Sequence, residues 1–248
     1  MKKLVAFDLD GTLALSKQPL DEDMAGRIAD LLDVCMVDII SGGDWPQFEK
    51  QVVSRLPERA KLANLFIQPT TGTKLYRWSG EWKPVYAELF TGDERRQIET
   101  ALDDAVKAEG LDEGQTWGDR IEDRGSQITF SGLGQEAPLI AKNNWDADRS
   151  KREALQKRLR QALPDLSINI GGSTSIDITR KGVDKQYGLT KLLPVAGVGK
   201  QEVLFVGDAI FPGGNDYPAK EMGLDTIKVD EIEQTRLVIS TVATVLKD

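Results

Sequence analysis

Two aspartates at the end of one short apolar run constrain this chain more than any other feature. Leu4-Val5-Ala6 reads as a buried strand and leads directly into Phe7-Asp8-Leu9-Asp10-Gly11-Thr12-Leu13. Gly11-Thr12 turns the chain, so Asp8 and Asp10 sit where the strand runs out. Residues two apart on extended backbone point to the same side, roughly 6.5 Å apart. A small reacting group fits between them once the turn bends the second carboxylate inward. One acid can then attack while the other moves a proton, provided their environments differ. A second apolar run, Val203-Leu204-Phe205-Val206, ends in Gly207-Asp208 and is followed by Gly213-Gly214-Asn215-Asp216. If the two strands are neighbours, Asp8, Asp10, Asp208 and Asp216 converge at the carboxyl edge of one sheet, where open α/β sheets bind ligands. Carboxylates without histidine or cysteine select a hard cation such as Mg²⁺.

The composition narrows the chemistry further. The chain has no histidine, so Ser-His-Asp and Cys-His catalysis are excluded and acid–base work falls to carboxylates or lysine. Its one cysteine, Cys35, lies in an apolar run, which excludes disulfide frameworks and zinc clusters and points to a buried thiol. A formal net charge of −8 opposes nonspecific nucleic-acid binding, which sets Lys and Arg against phosphates. The basic helix expected over residues 149–160 reads as a solvated face. A strand begins at once, without a signal peptide, and no apolar run reaches transmembrane length. The expectation is a cytoplasmic protein with neither a membrane nor a nucleic-acid partner.

Strands alternate with helical periodicity, which predicts an α/β fold with a doubly wound, largely parallel sheet. Met24, Ile28, Leu31 and Leu32 share one helix face, the run 34–40 is a second strand interrupted by Asp38, and Leu65-Phe66-Ile67 is a third. Trp78-Ser79-Gly80-Glu81-Trp82-Lys83-Pro84 reads as a turn-rich exit from this domain. Thr91 and Glu94 form a capping box for a helix carrying Ile98, Ala101, Leu102, Ala105 and Val106. Strands near 127–130, 166–170 and 174–179 surround a helix with Leu155, Leu159, Ala162 and Leu163. Asp184 caps the helix that resumes the parallel pattern, and a last helix sets Val238, Val242, Val245 and Leu246 on one face. One domain, 1–83 with 183–248, is thus interrupted by an α+β insert over 84–182.

Asp8-x-Asp10-Gly-Thr is the signature of the haloacid dehalogenase superfamily of phosphotransferases. The chain resembles the branch with a large α/β cap after the third strand, and within it the eukaryotic-type α-phosphomannomutases. Gly207-Asp208 with Gly213-Gly214-Asn215-Asp216 resembles the mutase metal loop, and 171–177 with Gly182-Val183-Asp184-Lys185 resembles the segment joining cap to core. The resemblance implies that Asp8 is the nucleophile, Asp10 the general acid and then base, and Lys185 the cation beside the phosphoryl group. It implies Mg²⁺ held by Asp8, the Asp10 carbonyl and Asp208, with Asp216 nearby. Ser41-Gly42-Gly43 follows the second strand, where a hydroxyl and backbone N–H groups would bind phosphoryl oxygens. The mutases carry a serine where this chain has Gly43.

In the insert, Ser175, Asp177 and Thr179 alternate with Ile176 and Ile178, so a polar strand face is available to sugar hydroxyls. The mutase pattern implies Ser175 and Asp177 on the sugar and Arg124 on a substrate phosphate. Gln135 stands where a second arginine is expected, and Lys142 roughly substitutes for a third. A mutase must hold a second, distal phosphate, which needs a dense cationic site. This thinning leads to the expectation of a Mg²⁺-dependent phosphatase acting on a small phosphorylated sugar or polyol. The alternative is a mutase interconverting hexose 1- and 6-phosphates. The resemblance also raises a homodimer through the cap.

Overall fold

The computed structural model describes residues 1–247, which divide into two compact units. One comprises Met1–Ala87 and the chain from Val183 onward, and the other is Glu88–Gly182. The first part of the larger unit contains β1 (Leu4–Asp8), α1 (Glu22–Leu32), β2 (Met36–Ile40), α2 (Trp45–Gln51), β3 (Leu65–Gln68), β4 (Lys74–Trp78) and β5 (Trp82–Ala87). The inserted unit contains α3 (Gly92–Ala108), β6 (Ile121–Asp123), β7 (Gln127–Ser131), α4 (Leu139–Trp145), α5 (Ser150–Ala162), β8 (Leu166–Ile170) and β9 (Ser175–Arg180). The chain then returns through α6 (Lys185–Ala196), β10 (Val203–Gly207), α7 (Tyr217–Glu221), β11 (Asp225–Lys228) and α8 (Ile232–Val245).

The larger unit is built on a seven-stranded sheet in the order β11-β10-β1-β2-β3-β4-β5. The five strands from β11 to β3 pair in parallel, and β4 and β5 are antiparallel. β1 lies between β10 and β2, so the chain leaves it in one direction along the sheet and returns on its other side. That reversal opens a crevice at the carboxyl end of β1, the place where such sheets bind ligands. Side chains alternate along a strand. Val5 and Phe7 therefore pack with Met24, Ile28, Leu31 and Ile239 on one face. Leu4 and Ala6 pack with Ile40, Phe66, Leu189, Leu192 and Phe205 on the other. Asp8 continues the Leu4–Ala6 row and so ends on the face that α6 covers.

The fold is the expected doubly wound α/β core with an α+β insert, and the differences are local. The stretch read as a turn-rich exit is a hairpin: β4 and β5 close on a tight turn with Trp78 opposite Trp82. Gly80 and Pro84 concealed it, because both usually interrupt strands; β5 is the edge strand, where proline is tolerated. The first unit consequently runs to Ala87, past the boundary expected at 83. In α8 the buried residues are Thr235, Ile239 and Ala243, with Val238, Val242 and Leu246 partly buried, whereas Val245 is exposed. In α5, Ala162 is likewise exposed beside the buried Leu155 and Leu159. Cys35 is buried and free, and burial pushes its thiol up to about 12.

The insert has its own core. Its antiparallel sheet, β6-β7-β9-β8, presents Ile128, Phe130, Ile168, Ile176 and Ile178 to Ile98, Leu102, Leu155 and Leu159 of α3 and α5. The Thr91–Glu94 capping box closes in both directions and fixes the start of α3. Among the described residues no helix is long and apolar enough to cross a membrane. Leu102 is fully buried in this core. Leu102→Ala should destabilise the protein by about 2–5 kcal/mol, the range for emptying a packed leucine site, as measured by urea unfolding.

Candidate active site

Asp8 ends β1, and Asp208 directly follows β10, its parallel neighbour. Parallel pairing brings the two acids to one edge, and the loop after β10 returns Asp216 beneath them. Carboxylate oxygens of Asp8, Asp208 and Asp216 all lie within 4.8 Å of one another. Asp216 is fully buried, and its Oδ2 accepts from the Ala209 N–H at 2.9 Å. Gly207 makes that possible, because a Cβ there would lie 2.3 Å from Asp216 Oδ2.

Lys185 begins α6, whose amino end is capped by Asp184 accepting from the Tyr187 N–H at 2.9 Å. Its ammonium donates to Asp8 Oδ1 and to Asp216 Oδ1. The helix can come this close to the sheet because Gly188 faces it. A Cβ there would lie 2.6 Å from Ile40 Cδ1 and 3.0 Å from Gly72 Cα. Lys185 is buried, with 2% of its surface exposed.

The sequence placed four acids together, and the structure gathers the side chains of three. The Asp10 carboxylate accepts from the Lys17 N–H at 2.6 Å and from Gln47 Nε2 at 3.4 Å instead. β1 ends at Asp8, so the period-two geometry no longer governs Asp10. Ser41, Gly42 and Gly43 follow β2 and are tied to the loop after β3. The Thr71 N–H donates to the Ser41 carbonyl at 2.9 Å, and the Thr70 N–H to the Gly43 carbonyl at 2.8 Å. Thr70 and Thr71 both adopt left-handed backbone, φ 49° and 56°, an outlying conformation for a β-branched residue. Such strain clusters at ligand sites, and no sequence signal marked these two residues.

In the insert, Asp177 Oδ1 accepts from Thr129 Oγ1 at 2.7 Å and from Gln127 Nε2 at 3.0 Å. Ser175 lies across from Ser131 and Asp177 across from Thr129, which makes one polar sheet face. Arg124 pairs with Glu122 at 2.9 Å. Lys142 Nζ donates to the Gln135 carbonyl at 3.0 Å, so these two positions are neighbours. Arg180 belongs elsewhere: it falls on the opposite strand parity, pairs with Glu94 and donates to the carbonyls of Glu88 and Leu89.

The electrostatics follow from this packing. Burial raises the Asp8 carboxyl to about 6; Lys185 opposes the rise and Asp216 adds to it. Burial, with the Asp216 charge, also raises Asp208. Burial alone would lower the Lys185 ammonium, but Asp8 and Asp216 outweigh it and the net shift is upward. One shared ammonium does not balance three carboxylates, and a hard cation would supply the missing charge. The all-oxygen donor set fits one. Asp38, the acid that interrupts β2, is fully buried and neither carboxylate oxygen has a hydrogen-bond partner. Burial raises it well above the usual carboxylate range, which favours its neutral form, and the Lys185 charge opposes the rise.

Comparison with known proteins agrees with this geometry. The family model described as eukaryotic phosphomannomutase matches residues 24–235. The chain is similar to the phosphomannomutase of Saccharomyces cerevisiae, 26% identical over 86% of this chain and 83% of the yeast protein. It is 28% identical to that of Schizosaccharomyces pombe, over 87% of this chain and 84% of the relative. Among solved structures, a haloacid dehalogenase-like hydrolase from Bacteroides thetaiotaomicron superposes with a TM-score of 0.65 at 16% identity. The match covers 98% of this chain and 100% of that one, a likeness of fold.

The raised Asp8 carboxyl gives cation binding a pH dependence. Between its ordinary value of 3.8 and about 6 the folded protein holds a proton that the unfolded chain has lost. That contribution to stability is complete below the lower value and is lost as pH rises through the upper one. A cation competes with the same proton. Adding Mg²⁺ should therefore raise the melting temperature at pH 7.5, and the gain should fade as pH drops through about 6. An equal gain at pH 5 would contradict the carboxylate site.

Proposed function

This chain belongs to the eukaryotic phosphomannomutase family, and from that membership and the site geometry we propose that it interconverts hexose 1- and 6-phosphates. It is an enzyme of the haloacid dehalogenase superfamily, a phosphomutase or a phosphatase. The observation that carries the chemistry is the buried Lys185 ammonium donating to Asp8 beside Asp208. The family match spans both units and favours the mutase over the simple phosphatase that the sequence alone suggested.

In the proposed reaction the Asp8 carboxylate attacks phosphorus and forms an aspartyl-phosphate. Asp10 protonates the departing sugar oxygen and then, as a base, takes the proton of the hydroxyl that attacks next. Lys185 steadies the charge on Asp8 and on the phosphoryl oxygens, and Ser41, Gly42 and Gly43 bind those oxygens. Asp8, the Asp10 carbonyl, Asp208 and Asp216 would hold Mg²⁺, which supplies charge stabilisation to the phosphoryl group. Arg124, Ser175 and Asp177 serve the sugar phosphate. For the mutase outcome a sugar hydroxyl must take the phosphoryl group from Asp8 before water does, and the bisphosphate so formed must reorient and return its other phosphoryl group to Asp8.

A specific feature favours hydrolysis as a second reading. Gln135 occupies the place of an expected arginine, and Arg124 is paired with Glu122. A weakened hold on the distal phosphate leaves the sugar hydroxyl poorly placed against the aspartyl-phosphate, so water attacks it instead.

Asp8→Asn should lower turnover by roughly a thousandfold or more, measured as phosphoryl transfer from mannose or glucose 1-phosphate with catalytic bisphosphate. Retained turnover would sink the nucleophile assignment. In the same assay, hexose 6-phosphate as the main product supports the mutase and inorganic phosphate supports the hydrolase. Gln135→Arg should raise the ratio of 6-phosphate to free phosphate; an unchanged ratio would remove Gln135 from the partition.

A further inference from the structure

Gln47 has no role in the reaction described above, yet its side chain reaches Asp10. Its Nε2 donates to Asp10 Oδ2 at 3.4 Å, while the Lys17 N–H holds Oδ1 at 2.6 Å. Lys17 makes that bond from left-handed backbone, φ 60°, which non-glycine residues seldom adopt. The reach of Gln47 depends on Gly43. A Cβ at position 43 would lie 2.2 Å from Gln47 Oε1 and 2.5 Å from its Cδ, closer than real contacts allow. Any residue with a side chain at 43 therefore displaces the Gln47 amide.

We infer that Gln47, in the space left by Gly43, is a positioning residue that aims the Asp10 carboxyl at the departing sugar oxygen. The inference rests on the phosphoryl-transfer reading above. In the first step an Asp8 oxygen forms a bond to phosphorus as the bond from phosphorus to the sugar oxygen breaks. The electron pair of that bond goes to the sugar oxygen, and the Asp10 proton joins it there. A sugar alkoxide is a poor leaving group and depends on that proton. A p-nitrophenolate is a good one and leaves without it. Misaiming Asp10 therefore slows the sugar ester selectively, whereas damage to folding, to phosphate binding or to Asp8 slows both esters.

The test is rapid-quench measurement of aspartyl-phosphate formation from hexose 1-phosphate and from p-nitrophenyl phosphate. Wild type is compared with Gln47→Ala. Gln47→Ala should slow the sugar-phosphate step about tenfold and the p-nitrophenyl burst by less than about twofold, with KM nearly constant. Equal slowing of both esters would overturn the assignment. The burst amplitude counts folded sites in every variant. A wild type with no burst from either ester would overturn the phosphoryl-transfer reading and this inference with it. A normal wild-type burst with an unselective Gln47→Ala overturns this inference alone.

Discussion

The buried Lys185 ammonium, shared by Asp8 and Asp216, is the interaction around which the rest of the site is arranged. Removing a charge from water is expensive unless partners replace the solvent, and here each partner is itself a buried carboxylate. The pair of bonds keeps the lysine charged against the burial that would discharge it. It does not neutralise the cluster, because Asp208 adds a third carboxylate within reach. Burial first, with the Asp216 charge adding to it, raises Asp8 and Asp208, and the residual negative charge makes the edge suited to a positive species. A phosphate dianion approaching such an edge would meet repulsion that a bound cation would offset.

Backbone packing sets where this charge lies. Alternation along β1 puts Asp8 on the α6 face, and parallel pairing with β10 brings Asp208 alongside. Neither placement would suffice if α6 stood at an ordinary helix–sheet distance. Gly188 lets the helix approach Ile40 and Gly72, which delivers the first residue of α6 to the strand end. Gly207 does the same for the Asp216 carboxylate. Both positions work by the absence of a side chain, so substitution at either would move a charged group away from its partners.

This division explains what was legible in the sequence. The Asp8–Asp10 spacing, the second strand ending at Asp208 and the helix opening at Lys185 are local patterns, and local patterns survive in one dimension. The β4–β5 hairpin was obscured because Gly80 and Pro84 argue against strands unless the strand is known to lie at an edge. The turn of Asp10 toward Lys17 was hidden because it depends on where β1 stops. Thr70 and Thr71 were silent for a similar reason: their left-handed backbone is imposed by bonds to the Ser41 and Gly43 carbonyls. Arg180 stands apart from the polar face, since its parity on β9 turns it toward α3 and Glu94. Asp38 did register as an interruption, but only its full burial shows why its carboxyl is raised.

The insert answers a different requirement. Its sheet faces helices with isoleucine and phenylalanine on one side and carries Thr129, Ser131, Ser175 and Asp177 on the other. Such a face suits hydroxyls, which give and accept hydrogen bonds, better than a phosphate, which needs concentrated positive charge. The cations near it are engaged: Arg124 with Glu122, Lys142 with the Gln135 carbonyl. For the proposed function, family membership and a face suited to hydroxyls pull together on substrate class, while the engaged cations favour the other outcome. Recruiting Arg124 to a distal phosphate would require Glu122 to release it, so the strength of that one pair bears on how long a bisphosphate is held. In the proposed reaction, whether the aspartyl-phosphate passes to a sugar hydroxyl or to water is then a competition between two attacks, one by the held sugar and one by solvent. The chemistry at Asp8 is common to both.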